Sequence, residues 1–335
     1  TELEGLLKRH PERRREIDPM LADARLNLGA ILTETNRAEL AGDLLPQGMA
    51  VYERLVNDYP LMPMYRLRLA LGHQTTALQG RLAQRPEQAE QSLHKAIVLL
   101  EELDKSNPDA FYHGLYLRQS YVELGQLHQR MGKTDSAVKL AEKSVAHARE
   151  DAGKARATSM VQFDLTRQLQ LQANMLGQAR RNADAIKSLD EAMTRMRTLH
   201  HMPSASPELQ SSRTMRVLLM ARGGDRAGAA QELAALTQSL PSDPTTLYNL
   251  ACAFAQVARG VRADTATDAA TRAERVQEAL AKAGDLIRKL AADGYFKPPA
   301  RVRGLWNDSD LEPLRSDATF KQWLDEHLPA PKKSN

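Results

Sequence analysis

Four small residues stand at equal intervals along the chain: Gly29, Ala77, Gly125 and Ala173, each 48 residues from the next. Three prolines keep nearly the same beat, with Pro11, Pro60 and Pro108 separated by 49 and 48 residues. A spacing held over several intervals indicates one supersecondary unit used repeatedly, and it limits the fold more than any single motif. Each proline closes an apolar-periodic run: Leu3 to His10, Val51 to Tyr59 and Ala96 to Asn107. In the third unit Leu117, Tyr121, Leu124, Gly125 and His128 fall on one face of a helix. The breaker Met131-Gly132-Lys133-Thr134-Asp135 follows, and Ala137, Ala141 and Val145 then share one face of a second helix. Each unit therefore reads as a helical hairpin. A small side chain where two helices cross lets them approach to about 8 Å, and a proline ends the helix and turns the chain into the next unit.

Beyond Ala173 the period shortens. Ala183, Ala185, Leu189 and Ala192 are expected to form the second helix of a fourth unit, ended by Met202, Pro203 and Pro207. Arg222-Gly223-Gly224-Asp225 reads as the turn of a fifth hairpin, whose second helix carries Ala229, Leu233, Leu236 and Leu240. Pro241 and Pro244 bracket the start of a sixth, Leu247 to Ala258. The polar stretch Arg259 to Thr271 is expected to be a loop or an irregular helix start, before a long helix from about Arg272 to Ala292 that Gly294, Pro298 and Pro299 stop. Asp308 to Leu328 is short and amphipathic and caps the array through Leu311, Leu314, Phe320, Trp323 and Leu324. Pro46 falls inside the expected second helix of the first unit, Ala38 to Asp58, where a kink or break is expected. The organisation so read is a repeat array over residues 1–200, made of the tail of a preceding repeat plus four hairpins. Two further hairpins follow over residues 201–293, and a capping segment over 294–335.

Composition agrees with an all-α chain. Ala and Leu number 48 each, against 17 for Val and Ile together, which leaves too few β-branched residues for a sandwich or a parallel sheet. Aromatics are 4%, so the core is aliphatic and its helices must approach closely. The lone Cys252 excludes an intrachain disulfide. Apolar runs such as Ala96 to Leu100 and Val217 to Ala221 are five residues and none exceeds six, far below the roughly 18 that a membrane span needs. The net charge of +4 is too weak a bias to indicate nucleic-acid binding. The chain opens on Thr1 within a helical pattern and without Met, and is expected to be a piece of a longer protein.

No constellation of nucleophile, base and orienting group can be assembled, and no metal or cofactor is expected. His200 and His201 are adjacent and diverge by about 100° on a helix, which is poor metal-ligand spacing. Cys252 reads as a small buried hydrophobe. Arg222-Gly223-Gly224-Asp225 lacks the flanking strand of a phosphate loop. The basic run Arg13-Arg14-Arg15 is interleaved with Glu12, Glu16 and Asp18 and reads as a solvated helix face.

What remains is the inner face of the array, lined by the first helix of each hairpin. Counting from each small residue, it is expected to present Gln74 and Arg81; Gln119, Gln126 and Arg130; Arg167, Gln170, Asn174 and Gln178; and later Thr214 and Asn249. An amide-rich, cationic groove suits an extended peptide, with amides bonding its backbone and arginines its carboxylates. The Lys/Asn positions of a carboxylate clamp instead hold Leu26 and Ala30 in one unit and Val122 and Gln126 in another, so a C-terminal chaperone peptide is not the expected ligand.

These residues carry a resemblance. Leu26-Asn27-Leu28-Gly29, the segment Tyr52 to Pro60 with Pro63, Tyr65, Arg66, Leu69 and Ala70, and the run Leu247 to Ala255 resemble tetratricopeptide repeats, and more narrowly the first-helix centre, inter-repeat segment and final repeat found in the repeat tails of planctomycete-type bacterial serine/threonine protein kinases. Gly294-Tyr295-Phe296 and Asp308-Ser309-Asp310-Leu311-Glu312-Pro313-Leu314-Arg315, then Phe320, are similar to the closing segment of the repeat tails of planctomycete-type bacterial serine/threonine protein kinases. Departures fall at Thr75-Thr76 and at Val217. The resemblance implies a tetratricopeptide-like α-α superhelix (a solenoid) of about six hairpins with a C-terminal capping helix. It also implies a kinase domain upstream in the parent protein. This chain has no G-x-G-x-x-G loop, V-A-I-K lysine, H-R-D or D-F-G, so it is expected not to be an enzyme. The expected function is a non-catalytic protein-interaction scaffold that binds a peptide or protein partner, acidic in character. The alternatives are a self-association module, with Leu61, Met62 and Met64 as contacts, and a small-molecule or nucleic-acid sensor. A cytoplasmic location is expected, or an extracytoplasmic one if a membrane helix precedes this region.

Overall fold

In a computed structural model, residues 2–35, 37–154, 157–238 and 242–330 are described. Among them the protein is all-α, with consecutive helices packed in pairs and no strand. The chain divides into two compact units, residues 1–155 and 156–335. Leu240, Pro241, Lys332 and Lys333 lie outside the described residues. Among the described residues, no helix is long and apolar enough to cross a membrane.

The first unit contains α1 (Glu2–Arg9), α2 (Arg14–Glu34), α3 (Ala38–Ala41), α4 (Leu44–Asp58), α5 (Pro63–Leu82), α6 (Pro86–Ser106), α7 (Phe111–Arg130) and α8 (Thr134–Gly153). Helices α2 and α4, α5 and α6, and α7 and α8 form three hairpins. The break expected near Pro46 lies just ahead of it: Gly42 takes φ +43°, α3 ends, and Pro46 occupies the first turn of α4. A first-turn N–H has no partner within its helix, so proline costs nothing there. Proline also opens α5 at Pro63 and α6 at Pro86.

All four small residues of the 48-residue series are buried. A Cβ on Gly29 would lie 2.6 Å from Leu45 Cδ2, so α2 and α4 meet only because the side chain is absent. At Gly80 the neighbour is backbone: an added Cβ would sit 3.1 Å from the Ala89 nitrogen. Around these approaches lie two aliphatic clusters, one including Leu26, Leu45, Tyr52 and Leu55, the other Leu93, Leu100, Leu117 and Leu124.

The second unit contains α9 (Ser159–Gln178), α10 (Asn182–Thr198), α11 (Ala205–Gly223), α12 (Arg226–Thr237), α13 (Pro244–Arg262), α14 (Ala269–Ala292), α15 (Pro299–Asn307), α16 (Glu312–Arg315) and α17 (Ala318–His327). Helices α9 and α10, α11 and α12, and α13 and α14 pair as hairpins. Pro207 begins α11 instead of ending α10. Pro298 and Pro299 stop nothing further: Pro299 opens α15, a helix that the proline pair hides in the sequence. Asp225, Asp243, Asp268 and Asp317 cap α12, α13, α14 and α17 by accepting backbone N–H bonds. Val217 is fully buried despite its branched side chain. It joins Leu250, Ala283, Leu311, Leu314, Phe320 and Leu324 in one cluster, and this binds the closing segment to α13 and α14.

The hairpin turns repeat as faithfully as the small residues. Gln84, Gly132 and Arg180 all have positive φ, at 56°, 75° and 59°. After each, a backbone N–H bonds five residues back: Arg85 to the Gly80 carbonyl at 2.7 Å, Lys133 to the His128 carbonyl at 2.8 Å and Arg181 to the Leu176 carbonyl at 2.9 Å. This is the left-handed helix cap in which orphan carbonyls of the last turn are satisfied.

Candidate functional site

In the first unit a turn gathers cations. Arg81 lies in the last turn of α5, Arg85 in the turn to α6 and Arg130 in the last turn of α7. Helix C-termini carry partial negative charge, which favours arginine there. The left-handed Gln84 reverses the chain and brings Arg85 back toward Arg81. Together with Gln84, Pro86, Leu127 and Met131 the three arginines line a pocket of about 270 Å³. The neighbouring carboxylate is Glu123, whose Oε2 lies 3.9 Å from Arg81 Nη1 and whose Oε1 accepts from Gln119 at 3.1 Å. The Arg81 Nε is buried without a hydrogen-bond partner, and Arg85 and Arg130 are exposed.

The other amides of this unit divide. Gln74 is committed to structure, donating to the Tyr116 carbonyl at 3.2 Å and the Ser120 hydroxyl at 2.8 Å. Gln119 is exposed and Gln126 half-buried.

In the second unit Asn174 and Gln178 of α9, Arg222 of α11, Asn249 and Cys252 of α13, and Asp308 and Asp310 line a polar pocket of about 180 Å³. Arg222 Nε donates to Asp310 Oδ1 at 2.9 Å, and its Nη2 bonds the second carboxylate oxygen. Asp308 accepts from the Tyr248 hydroxyl at 3.0 Å. Cys252 is 1% exposed, with Sγ 3.7 Å from Asp308 Oδ2. Burial pushes its thiol well above the ordinary value and the two aspartates add to the effect, so the thiolate needed for nucleophilic attack is not favoured. Asn174 and Gln178 are exposed and bonded to each other at 2.9 Å, and Asn249 is half-buried. Arg167 is exposed outside this pocket, and Gln170 is tied to the Glu208 carbonyl and the Ser212 hydroxyl. Thr214 is fully buried and bonds back to the Gln210 carbonyl, so it presents nothing to a ligand.

Arg85, Arg222, Asp308 and Asp310 were not among the groove residues read from the sequence. A signal for the first was present: Arg85, Lys133 and Arg181 stand 48 apart, one basic residue per hairpin turn. For Arg222 and Asp310 there was none, since they lie 88 residues apart.

Other sequence candidates fall into structural roles. His200 bonds the Arg197 carbonyl at 3.3 Å and His201 the Ser159 hydroxyl at 3.2 Å. In the basic run, Arg13 pairs with Glu16 at 2.8 Å, Arg14 faces Asp18 at 3.8 Å and Arg15 lies over the Tyr59 ring. In comparisons with known proteins, the chain matches no protein-family model and no curated protein sequence.

Proposed function

We propose that the chain is a non-catalytic interaction module of tetratricopeptide type, and that it takes up an extended acidic segment of a partner protein. The observation that carries this is the convergence of Arg81, Arg85 and Arg130 on one pocket, where the carboxylate paired with Arg81 is that of Glu123, 3.9 Å away. Like charges gathered this way repel one another, and a ligand carboxylate would relieve both that repulsion and the unpartnered Arg81 Nε. Within the same unit the exposed amide of Gln119 suits a peptide backbone, which offers alternating donors and acceptors. The motif resemblance supports a parent protein of the bacterial serine/threonine kinase class, for which this module would recruit or sense the partner.

The test is fluorescence polarisation with a glutamate-rich peptide and its lysine-rich counterpart. The acidic peptide is expected to bind, more weakly as salt rises, and to be lost in the Arg81→Glu/Arg130→Glu variant. Equal binding of both peptides, or none of either, overturns the reading.

One observation favours a second reading. Leu61, Met62 and Met64 cluster at the α4–α5 turn with 92%, 48% and 52% of their surface exposed. Such a patch suits contact with a second copy of the chain. Sedimentation velocity showing a monomer at high concentration would remove that reading.

A further inference from the structure

The geometry points to a divalent transition-metal site formed by Glu90, His94 and His128, of the kind that zinc occupies. It stands independently of the peptide reading. Glu90 and His94 are one turn apart on α6, so both side chains leave the same face. His128 reaches them from α7. One ligand atom from each residue lies within 4.8 Å of the other two. His128 Nε2 is already 2.8 Å from Glu90 Oε1. A tetrahedral zinc with bonds near 2.0–2.2 Å places its ligand atoms roughly 3.3 Å apart. Closing the remaining gap falls to His94, whose exposed side chain is free to change rotamer.

The donor set is chemically consistent. Two imidazoles and one carboxylate make a three-ligand site that leaves a fourth position for water. His128 is 5% exposed and its other ring nitrogen, Nδ1, lies 2.8 Å from the Ser136 hydroxyl at the start of α8. A hydroxyl both donates and accepts. Without metal, Ser136 donates to Nδ1 while Nε2–H donates to Glu90. With metal, Nδ1–H donates to Ser136 and the Nε2 lone pair binds the ion. The proton moves from one ring nitrogen to the other, and no net charge is left on the imidazole. A hydrogen bond to the distal ring nitrogen is the outer-shell feature that fixes ligating histidines in metal proteins.

Lys133 is the competing group. Its ammonium lies 2.9 Å and 2.8 Å from the two Glu90 oxygens. These hydrogen bonds, partly opposed by burial, hold the Glu90 carboxyl below its usual range and keep it anionic. Lys133 is 44% exposed and sits beside the Gly132 turn, so it can swing toward solvent as an ion arrives.

The experiment is isothermal titration of Zn²⁺ into the untagged full chain, with Co²⁺ absorption as a second readout of four-coordinate geometry. One ion per chain is expected. His94→Ala, at an exposed position that leaves the core untouched, is expected to weaken binding at least about tenfold, the lower end of the loss seen when only a ligand's outer-shell partner is removed. Lys133→Met removes the competitor and is expected to bind at least as tightly. A double His200→Ala/His201→Ala variant is expected to bind as the parent does. The proposal is overturned by any of four results: no uptake by the parent chain, unchanged affinity in His94→Ala, weaker binding in Lys133→Met, or loss of the ion in the His200/His201 variant.

Discussion

The side-chain amide of Gln74 donates to the Ser120 hydroxyl at 2.8 Å and so ties α5 to α7, the first helices of successive hairpins. Gln170 does the same between α9 and α11, with Ser212 at 2.7 Å. Each glutamine also reaches a backbone carbonyl of the facing helix, Tyr116 or Glu208. Both stand three residues before a small residue of the 48-residue series, Ala77 or Ala173. Gln74→Ala and Gln170→Ala should each cost about 1–2 kcal/mol, the price of two hydrogen bonds to largely buried partners. Urea unfolding of each variant measures it, and a loss below a few tenths of a kcal/mol in both would show that the clasp is not stabilising.

The left-handed turn residues allow a prediction of opposite sign. Gln84 and Arg180 hold φ near +60° with a Cβ in place, whereas their counterpart Gly132 has none. A non-glycine residue pays about 1–2 kcal/mol for that conformation, partly offset by the greater freedom glycine loses on folding. Gln84→Gly and Arg180→Gly should therefore raise stability by up to about 1 kcal/mol, and Gly132→Ala should lower it by a similar amount. Thermal unfolding of the three variants checks all signs at once.

Much of this architecture could be read from residue spacing, because a packed helix pair imposes its geometry on every repeat. Gly29 marks a crossing where an added side chain would meet Leu45, Ala173 is fully buried, and proline is barred from helix interiors, so both kinds of residue leave periodic traces. Helix α15 left no such trace, since Pro298-Pro299 marks a helix start as readily as a stop. The pockets were half legible. Arg81 and Arg130 were singled out, but Arg85 belongs to the turn, where no helical face could be counted. Polar groove positions also serve two ends: Gln74 and Gln170 have the composition of ligand donors and are spent on neighbouring helices. Pairs such as Arg222–Asp310 and Glu90–His128 join distant segments, and no local pattern announces them.

Within the first unit, one buried charge cluster is expected to be costly to open. Arg118 is fully buried and bonds Asp151 Oδ2 at 2.5 Å and His147 Nδ1 at 2.7 Å. The other nitrogen of His147 meets Asp104 at 2.7 Å, so the ring donates from Nε2 and accepts at Nδ1. Gly114 makes room, since a Cβ there would lie 2.8 Å from His147 Cε1. Burial opposes the Asp151 charge, but hydrogen bonds from Lys154 and Arg118 outweigh it and hold the carboxyl below its usual range. The stabilisation is thus present above the unfolded value of about 4 and is lost as pH falls through the lower folded value. Asp151→Asn should cost about 3 kcal/mol at neutral pH by leaving Arg118 undercompensated. The gap to the parent chain should narrow below pH of about 4. A gap that is constant with pH in denaturant titrations would argue against the charge as the cause.

His73 acts over a different pH window. It is 7% exposed, and burial, aided by Lys95, lowers its pKa from 6.5 to about 4. The fold holds it neutral, so above pH 6.5 it takes nothing from stability. As pH falls from 6.5 toward 4, the unfolded chain binds the proton first and the fold weakens. The total loss is about 3 kcal/mol at 1.36 kcal/mol per pKa unit. His73→Leu should flatten that part of the stability–pH curve. An unchanged slope between pH of about 6.5 and 4 would assign it to other groups.

The turns at Gln84, Gly132 and Arg180 quantise the length of the chain. Each closes a helix whose buried face is set by its phase relative to that turn. One residue gained or lost inside a helix rotates everything beyond it by about 100° and swings apolar side chains toward water. A whole 48-residue unit gained or lost restores the phase. Insertions and deletions in this lineage should therefore fall in the turns or come as complete hairpins, and an engineered chain lengthened by one copy of residues 85–132 should keep every turn bond of its neighbours.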